Sequence, residues 1–170
     1  TGPNDASFDA DTHIASVGWA IDDEWALDYI FGYRETDEEV LQDFNGTPET
    51  LFETTRPEVY DQASHELRLT RSGDRLDFVV GAYLFDMEYT IDLVSFIGFV
   101  VPNTVLNIPQ TANQQTDSWA LFFESDYSLT DKWVLTVGGR YSDDEKQAQI
   151  TNDFVISQPE PVEENWSEFT

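Results

Sequence analysis

Cysteine is absent, which rules out a disulfide framework, a Cys-ligated zinc site and a thiol nucleophile. Bases are scarce: eight Lys and Arg stand against 34 Asp and Glu, a net charge of −26. A polyanion draws its affinity from clustered bases, so nucleic acid is excluded as a partner, and docking on a bare anionic lipid surface is disfavoured. No apolar run approaches the ~18 residues of a membrane helix; the longest, Leu93 to Val101, is interrupted by Ser95 and Gly98. Phosphate-cradling glycine loops and nucleophile elbows are missing too, so no catalytic residue, enzymatic activity or cofactor is expected. Neither an initiator Met nor a signal segment opens the chain at Thr1, and Trp166-Ser167-Glu168-Phe169-Thr170 closes it in mid-alternation. The expectation is a piece of a longer protein.

What is present argues against disorder. Hydrophobic residues make up 40% and aromatics 14% of the 170 residues, too many for a chain kept unfolded by charge. The dominant pattern is two-residue alternation, the period of a strand. It predicts strands at about 12–21, 24–36, 62–71, 74–87, 115–128 and 132–142, with a seventh starting near Trp166. Tight turns fall at Asp22-Asp23, Ser72-Gly73 and Leu129-Thr130-Asp131. The other links, at about 37–61, 88–114 and 143–165, are long. Long structureless links are uncommon in compact soluble domains. Short turns at one end of a meander and long loops at the other are the arrangement of transmembrane β-barrels.

The strand faces agree with that arrangement. Trp25, Leu27, Tyr29, Phe31 and Tyr33 share one face; Glu24, Ala26, Asp28, Ile30, Gly32 and Arg34 share the other. Trp133 to Tyr141 and Trp119 to Tyr127 repeat the pattern, each bracketing an apolar face between a Trp and a Tyr eight residues apart. Eight residues at ~3.3 Å, tilted ~45°, span roughly 19 Å, near the height of an apolar band between aromatic girdles. The candidate girdle is therefore Trp19, Trp25, Tyr33, Trp119, Tyr127, Trp133 and Tyr141. Centring each hairpin on its turn pairs Trp19 with Trp25, Tyr127 with Trp133, and Trp119 with Tyr141. In the middle hairpin it pairs Leu69 with Leu76, Leu67 with Phe78, and Arg68 with Asp77. A soluble antiparallel sandwich also alternates apolar-in and polar-out, with its Trp and Tyr in the core, so alternation alone leaves both architectures open.

The residues resemble a known family at this point. Leu27-Asp28-Tyr29-Ile30-Phe31-Gly32-Tyr33-Arg34, Ser64-His65-Glu66-Leu67-Arg68-Leu69 and Phe78-Val79-Val80-Gly81-Ala82-Tyr83-Leu84-Phe85 are similar to strands of TonB-dependent outer-membrane receptors. So are Asp117-Ser118-Trp119-Ala120-Leu121-Phe122, Leu135-Thr136-Val137-Gly138-Gly139-Arg140-Tyr141 and the closing Trp166 to Thr170. The resemblance implies an all-β, antiparallel up-and-down meander of six strands plus a stub. That meander is part of a transmembrane β-barrel wall, 22-stranded in the family, with residues 1–170 a partial barrel domain. It implies a bacterial outer-membrane location, and outer-membrane lipid, lipopolysaccharide, a plug domain and TonB as partners. The implied activity is active uptake of a ferric-siderophore, cobalamin or carbohydrate-type substrate.

Candidate site residues follow. Arg68, Asp77, Glu124, Asp126 and Arg140 are expected to face the lumen and contact a plug or neighbouring strands. Phe96 and Phe99 are loop candidates for substrate contact, in a segment otherwise read as an extension of the fourth strand. Glu35-Thr36-Asp37-Glu38-Glu39 and Ser142-Asp143-Asp144-Glu145 bring carboxylates together, which suits hard cations. Asp37, Glu38, Asp143 and Asp144 are thus the candidate metal ligands, although neither run has the spacing of a calcium loop, and solvated surface is the plainer reading. His13 and His65 read as ordinary strand residues. Two rivals remain: a passive porin-type barrel, and a soluble secreted β-sandwich acting as a binding module.

Overall fold

The structure is a computed structural model and describes residues 4–49, 51–99, 104–152 and 160–170. Seven strands form one antiparallel sheet in sequence order: β1 (Asp5–Ala20), β2 (Trp25–Asp43), β3 (Phe52–Arg71), β4 (Leu76–Phe99), β5 (Thr104–Thr130), β6 (Trp133–Asn152) and β7 (Val162–Phe169). No second layer covers the sheet among the described residues. Ala120, 1% exposed, is the one buried apolar side chain among them. A sandwich would enclose a core between two sheets; this is a wall, and the sandwich alternative falls.

The strands are longer than alternation predicts. β4 has 24 residues and β5 has 27, whereas a tilted strand crosses a bilayer in about 9–11. The links expected at 37–61, 88–114 and 143–165 are strand over much of their length, because polar residues continue to pair across the ladder. Their acids and amides break the apolar alternation without breaking the hydrogen bonding. After β2 the chain turns at once: Asp43 accepts from the Asn45 and Gly46 amides at 2.8 and 3.2 Å, and Gly46 supplies the positive φ of 65°. Leu93 to Phe99 extends β4; Val101 lies outside the described residues.

The turns shift the predicted register. Asp22 accepts from the Glu24 and Trp25 amides, both at 2.9 Å, so the first turn spans 21–24 and Trp19 pairs with Leu27, not Trp25. The Ser72-Gly73 turn takes in Asp74 and Arg75 as well. Asp77 accepts from the Gly73 amide at 3.0 Å, and Leu69 pairs with Val80, Arg71 with Phe78 and Arg68 with Gly81. The cross-strand pairs Leu69–Leu76, Leu67–Phe78 and Arg68–Asp77 do not form. A bulge between Ser128 and Thr130 likewise sets Tyr127 opposite Leu135 and Trp119 opposite Asp143. Every offset is an even number of residues, so each side chain keeps its predicted face.

Candidate functional site: the two faces of the wall

The register carries one apolar face across the whole sheet. The row Val17–Tyr29–Leu67–Ala82–Leu121–Tyr141 runs strand to strand without a charge. Trp19, Val17, Tyr29, Leu67, Val80, Leu84, Trp119, Leu121, Phe123, Tyr127, Trp133, Leu135 and Val137 are all exposed on this face. Phe78 meets Trp25 edge-on at 5.4 Å, and Trp119 contacts Tyr141 at 5.4 Å along the diagonal that replaces their predicted pairing. His65 lies on the same face, its Nδ1 2.7 Å from the Tyr29 hydroxyl.

The aromatics form two slanted lines. Near the short turns, Trp19 stands one ladder row above Trp25, Tyr127 one row below Trp25, and Trp133 one row below Tyr127. Near the long links, Trp119 stands one row below Tyr33 and Tyr141 one row below Trp119. Rows are about 6.7 Å apart and strands about 4.8 Å, so both lines cross the ladder at roughly 35–40°. Strands of membrane barrels tilt by about the same angle from the normal.

The opposite face is polar and glycine-rich. It carries all five of Arg68, Asp77, Glu124, Asp126 and Arg140. Glu66, Arg68, Val79, Tyr83, Phe122 and Arg140 line an open hollow of about 530 Å³. Arg68 donates to Glu66 at 2.5 Å, the partner that takes the place of Asp77. Arg140 lies over the Tyr83 ring, 5.9 Å from its centroid. Asp126 accepts from the Thr136 hydroxyl at 2.5 Å. Asp77, Glu124 and Asp126 flank a second, smaller hollow beside the short turns.

Further up this face, Arg56 pairs with Glu58 at 2.6 Å, and the Tyr89 hydroxyl also donates to Glu58. Burial, then the Glu58 contact and its negative charge, pushes the Tyr89 phenol up to about 12. The neutral phenol is thus favoured by the folded state. Its contribution to stability is complete below the usual value near 10 and is lost as pH rises through 12. A 295-nm titration of the intact protein minus that of Tyr89→Phe should therefore show one phenol with its midpoint near 12. A midpoint near 10 would remove the Glu58 contact. Sequence reasoning missed Tyr89, Tyr60 and Glu58, because they fall in a segment taken for a loop.

Several candidates separate. Alternation places Asp37 and Glu38 on opposite faces of β2, and Asp143 and Asp144 on opposite faces of β6. What read as clustered ligands in a loop is split by the strand, and no group of three or more His or acidic residues suited to a metal occurs among the described residues. Phe96 pairs with Glu53 and Asn107 on the same face as Trp119, away from Arg68 and Arg140. The side chain of Phe99 lies outside the described residues.

The family described as "TonB dependent receptor-like, beta-barrel" matches residues 1–168. The chain belongs to the TonB-dependent receptor barrel family. It is therefore part of a bacterial outer-membrane barrel, in a family of receptors, not enzymes. Membership also sets aside the porin-type alternative. No curated protein matches the sequence. Among solved structures, the ferric yersiniabactin uptake receptor FyuA from Yersinia pestis is similar with a TM-score of 0.71 at 18% identity, over 95% of this chain and 24% of that one. The ferric-catecholate import receptor Fiu from E. coli K12 gives 0.62 at 13%, over 100% and 32%. The siderophore receptor PiuA from Acinetobacter baumannii gives 0.63 at 11%, over 94% and 29%. This TonB-dependent receptor segment thus spans a quarter to a third of the barrel proteins it resembles, and at these identities the likeness is one of fold.

Proposed function

We propose that the intact protein is an active outer-membrane importer of a ferric-siderophore-type solute, energised through TonB. Supporting the membrane part are the two aromatic lines, eight residues apart on β2, β5 and β6 and slanted at the tilt of a membrane strand; they act as the two girdles of a lipid-facing band. The glycine-rich face then looks into the lumen, and its hollow around Arg68, Tyr83, Phe122 and Arg140 receives the plug. Favouring iron over cobalamin or carbohydrate are the roles of the three similar structures: ferric yersiniabactin uptake, ferric-catecholate import and siderophore reception.

Uptake of radiolabelled iron by cells expressing the intact receptor is the test. Supplied as a panel of ferric siderophores, iron should accumulate, and accumulation should stop when TonB is deleted or the proton gradient is collapsed. Uptake that survives TonB deletion would sink the energised mechanism. TonB-dependent uptake of cobalamin or an oligosaccharide without iron would sink the solute class.

A further inference from the structure

The lipid-facing side of the wall has a sharp upper border. The first carboxylate above the aromatic line on each strand is Asp11, Glu35, Asp61, Asp86, Asp117 and Asp143, and this border steps down across the sheet in parallel with the aromatics. None of the eight Lys and Arg lies above it on this face: Arg34, Arg56, Arg68, Arg140 and Lys146 alternate to the lumen side, Arg71 sits at the lower rim, and Arg75 and Lys132 are in turns. A surface built to hold lipid phosphates directly would need bases here.

Two rows above the first acid of β6 the composition changes to amides. Asn113, Gln115, Gln147 and Gln149, with Thr90 and Glu88, line an open hollow of about 340 Å³ whose rim includes Pro161. Gln115 pairs directly with Gln147 and Asn113 with Gln149. The amides are held in place from below and beside: Gln115 donates to Asp117 at 3.1 Å, Gln147 to Glu145 at 2.9 Å, and Thr90 to the Asn113 oxygen at 3.0 Å. The Gln115 and Gln147 amide oxygens have no hydrogen-bond partner among the described residues. Fixed amides that offer both donors and acceptors, beside a carboxylate acceptor, match hydroxyl groups. Trp119 and Tyr141 lie two and three rows beneath on the same face, past Asp117 and past Asp143 and Glu145, which puts the hollow about 10–15 Å above the aromatic line.

We propose that this hollow docks an uncharged sugar in the headgroup of an outer-leaflet glycolipid whose acyl chains lie against Trp119 and Leu121. The site is open and shallow, so a free sugar would leave it readily. Anchoring in the membrane holds the headgroup at high local concentration, which a shallow site needs. The inference rests on the lipid-facing assignment of the apolar face, and is independent of which solute is carried.

The test reconstitutes the intact receptor in phosphatidylethanolamine vesicles doped with a minor amount of either digalactosyl diacylglycerol or phosphatidylglycerol. The protein is then excised in polymer discs and its retained lipids are counted by mass spectrometry. Wild type should enrich the galactolipid about fivefold over the bulk and phosphatidylglycerol not at all; Gln115→Leu/Gln147→Leu should abolish the enrichment, as expected for two lost hydrogen bonds. Thr116→Val, on the lumen side of the same strand and outside the hollow, should keep it. Single Gln147→Leu, checked for heat-modifiable folding, should lose part and covers the case in which the double variant does not fold. No galactolipid enrichment, preference for phosphatidylglycerol, loss in Thr116→Val, or equal binding of free digalactose would each overturn the proposal. Quenching by brominated acyl chains, taken as wild type minus Trp119→Phe, separates the two layers of inference. Without quenching the lipid face itself is wrong; with quenching and no enrichment, only the headgroup site is wrong.

Discussion

Leu67→Arg is expected to destabilise the folded barrel by about 2–4 kcal/mol, a shift of roughly 30- to 700-fold in the folding equilibrium. Leu67 sits on the apolar face of β3 midway between the Trp25 and Tyr33 rows, flanked by Tyr29 and Ala82, and is 46% exposed. In water an Arg on such an exposed site would cost almost nothing. In the middle of a bilayer it must stretch toward the interface or draw water inward. Thr70→Arg supplies the comparison on the same strand. Thr70 faces the hollow flanked by Asp77, Glu124 and Asp126, whose carboxylates would welcome a guanidinium. Urea unfolding of the intact receptor in lipid vesicles should separate the two variants widely. Equal costs would show that the apolar face does not meet lipid.

Gly81 gives the second large effect. A Cβ there would come within 2.3 Å of the Phe122 ring and 2.9 Å of the Leu67 carbonyl oxygen. Gly81 and Phe122 are direct ladder partners, so the ring lies over the glycine and covers the backbone that a side chain would otherwise shield. Gly81→Ala should cost about 1–3 kcal/mol, with larger residues worse. In a Phe122→Ala background the ring clash disappears, while the carbonyl contact stays. The same substitution should then cost measurably less, and a double-mutant cycle on urea midpoints reads the coupling. Additive costs would mean that the ring does not occupy this place.

Much of this architecture was legible in the sequence, for a specific reason. The side-chain period of a strand is two, so Trp25 and Arg140 could be assigned to opposite faces without knowing any pairing. Register was not legible, because it depends on turn geometry: the Asp22 carboxylate widens the first turn, Asp74 and Arg75 join the third, and a bulge offsets the last. Strand length was not legible either. The regular apolar–polar alternation ends above Tyr33, Trp119 and Tyr141: β2 and β6 turn acidic and β4 runs apolar on both faces from Leu93, so these segments look like loops while their backbones go on pairing. The same limit let Asp37-Glu38 and Asp143-Asp144 read as loop carboxylate runs, although the strand sets neighbouring acids on opposite faces. It also hid the Tyr60–Tyr89–Glu58 group and the amide hollow around Gln115 and Gln147.

Ala120 stands alone as a buried apolar side chain in the described wall. A water-soluble domain collapses around its grease before it reaches its destination, and so travels already protected. Here the large apolar side chains finish on the outside, where only lipid can cover them, so no compact state in water can hide them well. Acquiring structure and entering the bilayer then become one event. Until that event the chain is an exposed, adhesive polymer, and its risk of aggregation grows with the time it spends in water.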